Sequence, residues 1–116
     1  MYKYTILCTE EQTIKSFALG APIEDYCGLV PTAYIDGGIY DIPTAEQMIG
    51  WMTEQGLAFN TEWSWGGQVT IRVWDNHNHK LVYTSNAYSL KECTLAAIDA
   101  ALDYLVLKKS RTFVQS

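Results

Sequence analysis

The stretch LAFNTEWSWGGQVTIRVW, residues 57–74, limits what this chain can fold into more than any other. Polar and apolar residues alternate on both sides of a glycine pair, with Leu57, Phe59, Thr61 and Trp63 before it and Val69, Ile71 and Val73 after it. A period of two is the mark of a strand with one buried face, so the two arms read as a hairpin. A two-residue Gly66–Gly67 loop would set Trp63 opposite Thr70 and Glu62 opposite Ile71, mixing the two faces. A three-residue loop of Trp65, Gly66 and Gly67 instead pairs Trp63 with Val69, Thr61 with Ile71 and Phe59 with Val73. That register keeps the apolar row together and predicts an odd-length loop with a glycine at positive φ. Asn60, Glu62, Thr70, Arg72 and Trp74 then share the other face.

Helices flank this hairpin. Thr9 with Gln12, and Thr44 with Gln47, have the spacing of a capping box, in which side chain and backbone amide satisfy each other. The first predicts a helix over residues 10–19 with an apolar stripe of Ile14, Phe17 and Ala18, stopped by Gly20 and Pro22. The second predicts a helix with Ala45, Met48, Ile49 and Met52 on one face, ended by Gly56. Gly50 lies in its middle, where glycine costs about 1 kcal/mol, and so predicts a close packing contact. A third strand is expected over residues 80–86. The last helix opens at Ser89, with Glu92 completing a box. Its broad apolar face carries Leu90, Cys93, Ala97, Ile98, Ala101, Leu102 and Leu105, widened by Leu95 and Val106.

The remainder reads less clearly. MYKYTILC alternates like a half-buried strand and not like a signal peptide. Between residues 21 and 43, prolines and glycines break every pattern, and AYIDGGIYDI is either a small hairpin or loop. The expected fold class is α+β: a three- to four-stranded antiparallel sheet with helices packed on one face. Residues 1–116 form a single domain, divided into an N-terminal strand, helix and irregular segment (1–43), an α-β-β-β-α core (44–107) and a polar tail (108–116).

The charge balance narrows the functions. The net charge is −5, and three of the eight basic residues, Lys108, Lys109 and Arg111, lie near the end. Sequence-independent nucleic-acid binding needs a basic face, so nucleic acid is not expected as a partner. The longest apolar helix is broken by Asp99 and Asp103, so no membrane span is expected. Three scattered cysteines suit free thiols in a reducing cytoplasm better than a disulfide framework.

The stretch WDNHNHKL holds both histidines, His77 and His79, between two strands. With Asp75 they make a three-residue candidate metal set, but the flanking Asn76 and Asn78 tolerate left-handed backbone and make the segment good turn chemistry. The expectation is a turn, with no metal and no cofactor. Cys8 and Cys93 lie on apolar faces and read as core thiols. Cys27, in the irregular segment, is the remaining candidate nucleophile, and nothing in the sequence places a base beside it. Glu10, Glu11, Asp99 and Asp103 read as solvated helix-surface carboxylates. Trp51, Trp63 and most tyrosines fit core positions. Trp65 in the loop and Trp74 on the polar sheet face do not, so either a helix or residues 21–43 cover them or they serve an interface.

From Thr44 to Leu107 the predicted order is helix, three strands, helix, and SLKECTLAAIDAALDYL is similar to the last helix of the double-stranded-RNA-binding domain. The resemblance implies that domain's topology. The lysine cluster that straddles phosphates in that family is reduced here to Lys91 followed by Glu92, which argues against its RNA binding. CTEEQTIKSFALGAPI, IPTAEQMIGWM and AAIDAALDYL also resemble short uncharacterised proteins of bacterial and phage-associated genomes. This implies an accessory role and no particular activity. The function expected is therefore a non-enzymatic module that binds a protein partner or itself, with Trp65, Trp74 and Arg72 as binding residues. The alternatives are a degenerate double-stranded-RNA-binding-like module, or an enzyme using Cys27 or His77 and His79.

Overall fold

The computed structural model describes the backbone of residues 6–23, 32–35 and 37–115, with side chains as far as residue 109. Among these residues the chain forms α1 (Glu10–Ala18), β1 (Thr32–Ile35), β2 (Gly38–Asp41), α2 (Ala45–Glu54), β3 (Leu57–Trp63), β4 (Val69–Asp75), β5 (Lys80–Ala87) and α3 (Leu90–Gln115). This is a mixed α+β architecture with two antiparallel sheets. One is the β1–β2 hairpin and the other is three-stranded, in the order β3-β4-β5. Of AYIDGGIYDI, the small-hairpin alternative is the one that forms: β1 pairs antiparallel with β2, and Gly37 takes φ +82°. Leu7 bridges Thr44 within what read as an N-terminal strand, and residues 1–5 lie outside the described residues. The last helix runs to Gln115, through the segment expected to be a polar tail.

The hairpin register is the one the alternation requires: Trp63 pairs with Val69, Thr61 with Ile71 and Phe59 with Val73. The Ser64 N–H donates to the Gln68 carbonyl at 2.9 Å, closing a three-residue loop in which Gly67 takes φ +83°. Burial alternates along β4, with Val69, Ile71, Val73 and Asp75 inside and the residues between them half-exposed. The inner face packs on α3 and α2. Met48, Met52, Leu57, Val69, Val73, Ile98 and Leu102 have almost no accessible surface. Burying each such side chain stabilises the fold by roughly 1.5–3 kcal/mol. A register shift between Val73 and Trp74 brings Trp74 opposite Leu81 and leaves Val82 as the extra residue of a bulge.

Several helix expectations need correction. α1 buries Gln12, Thr13 and Ser16, whereas Ile14 is 39% exposed and Ala18 is also on the surface. Its inward face is polar because α1 docks on α3 through hydrogen bonds. The Gln12 Nε2 donates to the Leu95 carbonyl at 2.9 Å and to Asp99 Oδ1 at 2.8 Å, while Gln12 Oε1 accepts the Thr9 N–H of the capping box. Lys15 adds an ion pair to Asp103 at 3.0 Å. Asp99 and Asp103 therefore serve helix docking and are not merely solvated. Phe17 leaves the α3 interface and packs against the Tyr40 ring, with centroids 4.9 Å apart. Gly50 faces open space, with nothing near the position of an added Cβ, so no packing contact explains it. Leu90 and Val106 fall outside the buried face of α3.

Candidate functional site

The histidine stretch is a turn, residues 76–79, and the residue in the left-handed region is His79 (φ 52°), not an asparagine. Asp75 is not free to bind a metal. It continues the inward row of β4 and is fully buried. Its Oδ1 accepts the backbone N–H of His77 at 2.9 Å and that of Asn78 at 3.3 Å. Its Oδ2 accepts the Asn78 amide at 3.1 Å, the Tyr104 hydroxyl at 2.5 Å and the Lys108 ammonium at 3.3 Å. Burial by itself would push this carboxyl up. The bonds from Tyr104, the His77 N–H, Lys108 and the Asn78 N–H outweigh it and hold Asp75 well below the usual carboxylate range. The His77 ring lies against Gly56, where an added Cβ would come within 2.8 Å of it. No group of three metal-ligating side chains is found among the described residues. The cluster pins the β4–β5 turn to α3, and it was legible in part: the period-two row 69, 71, 73 points residue 75 inward.

Cys8 and Cys93 are buried, as core thiols should be. Desolvation, reinforced by Asp99, pushes the Cys8 thiol up to about 12, which suppresses thiolate formation. Cys27 lies outside the described residues. A groove of about 700 Å³ opens where the chain leaves α1 and enters α2, lined by Leu7, Ala21, Ile42, Met48 and Trp51 among others.

The candidate binding residues fall in two places. Arg72 and Trp74 sit together on the outer face of the three-stranded sheet, where no described element packs. There Trp74 is half-buried between Ala58 and Leu81 of the neighbouring strands, Arg72 donates to Glu62 at 2.6 Å, and Thr70 donates to Asn86 at 2.6 Å. Trp65 lies beyond the other end of the sheet. Val69 and Trp74 are five residues apart on β4, about 17 Å at strand rise, so Trp65 and Trp74 are separate features. Trp65 is fully exposed, and neither a helix nor the described part of residues 21–43 covers it.

Sequence reasoning missed Trp63. Its parity puts it in the apolar row, but it is 62% exposed, because burial along β3 fades from Leu57, which is fully buried, to an exposed stretch ending at Trp63. Tyr34 and Tyr88 are likewise exposed, against the expectation that most tyrosines are core. Trp63 and Trp65 thus form an uncovered aromatic pair at the hairpin end, with Tyr88 and Leu90 exposed where β5 passes into α3.

The fold and this surface define a small two-layer α+β domain with its helices on one side of the sheet and aromatic side chains left in solvent. No protein-family model, curated protein or solved structure matches the chain.

Proposed function

We propose that this chain is a small non-enzymatic accessory protein that works by binding protein, either a partner or a second copy of itself. The observation that carries the reading is the solvent-exposed pair Trp63 and Trp65, two residues apart at the end of the β3–β4 hairpin. An indole on a strand loses little conformational freedom on binding and brings a large apolar area, which is why tryptophans anchor interfaces. The open sheet face with Trp74, Leu81 and Arg72 offers a second contact surface of mixed character.

The test is affinity capture of the tagged chain from its native cells, with and without nuclease, followed by mass spectrometry. Recovery of a protein, or of untagged copies of this chain, that survives nuclease and drops at least tenfold in a Trp63→Ala, Trp65→Ala variant is the expected result. Recovery that disappears with nuclease would favour the rival reading, a degenerate double-stranded-RNA-binding-like module, which rests on the α2-β3-β4-β5-α3 order alone.

A further inference from the structure

We infer that the partner is a second copy of the chain, joined through antiparallel pairing of β3 with β3 about a two-fold axis at Asn60. This rests on the protein-binding reading above and gives it a geometry.

The two edges of the sheet differ. β5 carries Lys80 and a bulge, both of which hinder strand addition. β3 reads LAFNTEW over Leu57–Trp63, with regular pairing to β4 throughout, no proline and no basic residue. Its only charge, Glu62, is drawn onto the outer sheet face by Arg72. Among the described residues nothing pairs with its outer edge.

Backbone parity decides which groups face outward. The Ser64 N–H donates to the Gln68 carbonyl, and the Asn76 N–H donates to the Gly56 carbonyl, so even-numbered residues of β3 bond to β4. The amides and carbonyls of Leu57, Phe59, Thr61 and Trp63 therefore point away from the sheet. An antiparallel copy centred on Asn60 sets Leu57 opposite Trp63 and Phe59 opposite Thr61, which uses every one of those outward groups. In the same register Ala58 faces Glu62 and no like charges meet. The strand is self-complementary, as a two-fold interface requires. The pairing carries each hairpin end to the α2–β3 corner of the other copy. Trp63, bare in the single chain, then lies across from Leu57, at the buried end of the other copy's β3.

Asn60 faces its own counterpart as a non-hydrogen-bonded pair, with Cα atoms about 4.5 Å apart, a separation that a disulfide spans. The test is sedimentation of the full chain together with cysteine scanning in a Cys27→Ser background. The expected result is a species of twice the monomer mass that dissociates on dilution. Asn60→Cys should oxidise to a covalent dimer; Ala58→Cys and Glu62→Cys should each fail alone but cross-link when mixed. Thr61→Pro removes one outward amide and should abolish the dimer with the circular dichroism unchanged. A chain that stays monomeric while Trp63 and Trp65 still capture another protein would overturn this geometry and leave the protein-binding reading standing. A dimer that ignores both Asn60→Cys and Thr61→Pro would do the same. Monomers that capture nothing would overturn both.

Discussion

Asp75 shows how much one buried carboxylate can organise. It ends the inward row of β4, receives two backbone amides of the following turn, and reaches Tyr104 and Lys108 one helical turn apart on α3. Removing it strands several donors in a buried place, so Asp75→Ala is expected to cost about 3 kcal/mol in urea unfolding. Lys108→Ala should cost under about 1 kcal/mol, because that ammonium is partly solvated. The pH dependence has a definite sign. A carboxyl whose value falls on folding contributes its stability in full above the ordinary carboxylate value. That contribution is lost as pH falls below about 4 toward the folded value. Asp75→Asn should flatten this acid limb of the stability profile and leave the neutral-pH slope unchanged. Sequence placed Asp75 beside two histidines, which drew attention to metal binding; its real partners lie on α3, about 30 residues away, where no local pattern can indicate them.

At the scale of elements, period and capping were legible and docking was not. Both threonine capping boxes form, with Gln12 and Gln47 accepting the cap amides, because their chemistry lies within four residues. The direction in which α1 faces does not. Its weak apolar stripe suggested Ile14 inward, yet the polar Gln12 side is buried because α3 offers a carbonyl and Asp99. Gln12→Ala is therefore expected to destabilise by about 2 kcal/mol, through half a capping box and two partly buried hydrogen bonds. Ile14→Ala should cost about 0.5–1 kcal/mol, since much of that side chain is already in water. Thermal unfolding of the two variants decides the order, and the reverse order would mean that α1 docks by its apolar side.

The whole molecule is a slab, 46 × 44 × 18 Å in its Cα extents. The thin dimension accommodates one sheet and one helix layer, with layers about 10 Å apart, and leaves the outer sheet face uncovered. Helices that all lie on one side explain why Trp74, on the other face, is only half-buried. Hydrogen exchange of the dilute monomer should follow the same geometry. Amides of β4 should be the most protected, and along β3 those of Asn60 and Glu62 should exchange at least tenfold more slowly than those of Phe59 and Thr61, which point outward. Equal protection along β3 would mean that its edge is already paired within the chain.

What the sequence determined by itself was local and periodic: the helix starts at Thr9 and Thr44, the three-residue hairpin loop, the faces taken by Val69 to Trp74, and the turn at the histidines. Each follows from backbone sterics or from an alternation that only one register keeps intact. The tertiary structure decided what those faces meet. Burial of Gln12, engagement of Asp75 by Tyr104 and exposure of Trp63 depend on where α2 and α3 end over the sheet. Those positions come from packing between distant segments, and residue spacing within one segment carries no trace of them.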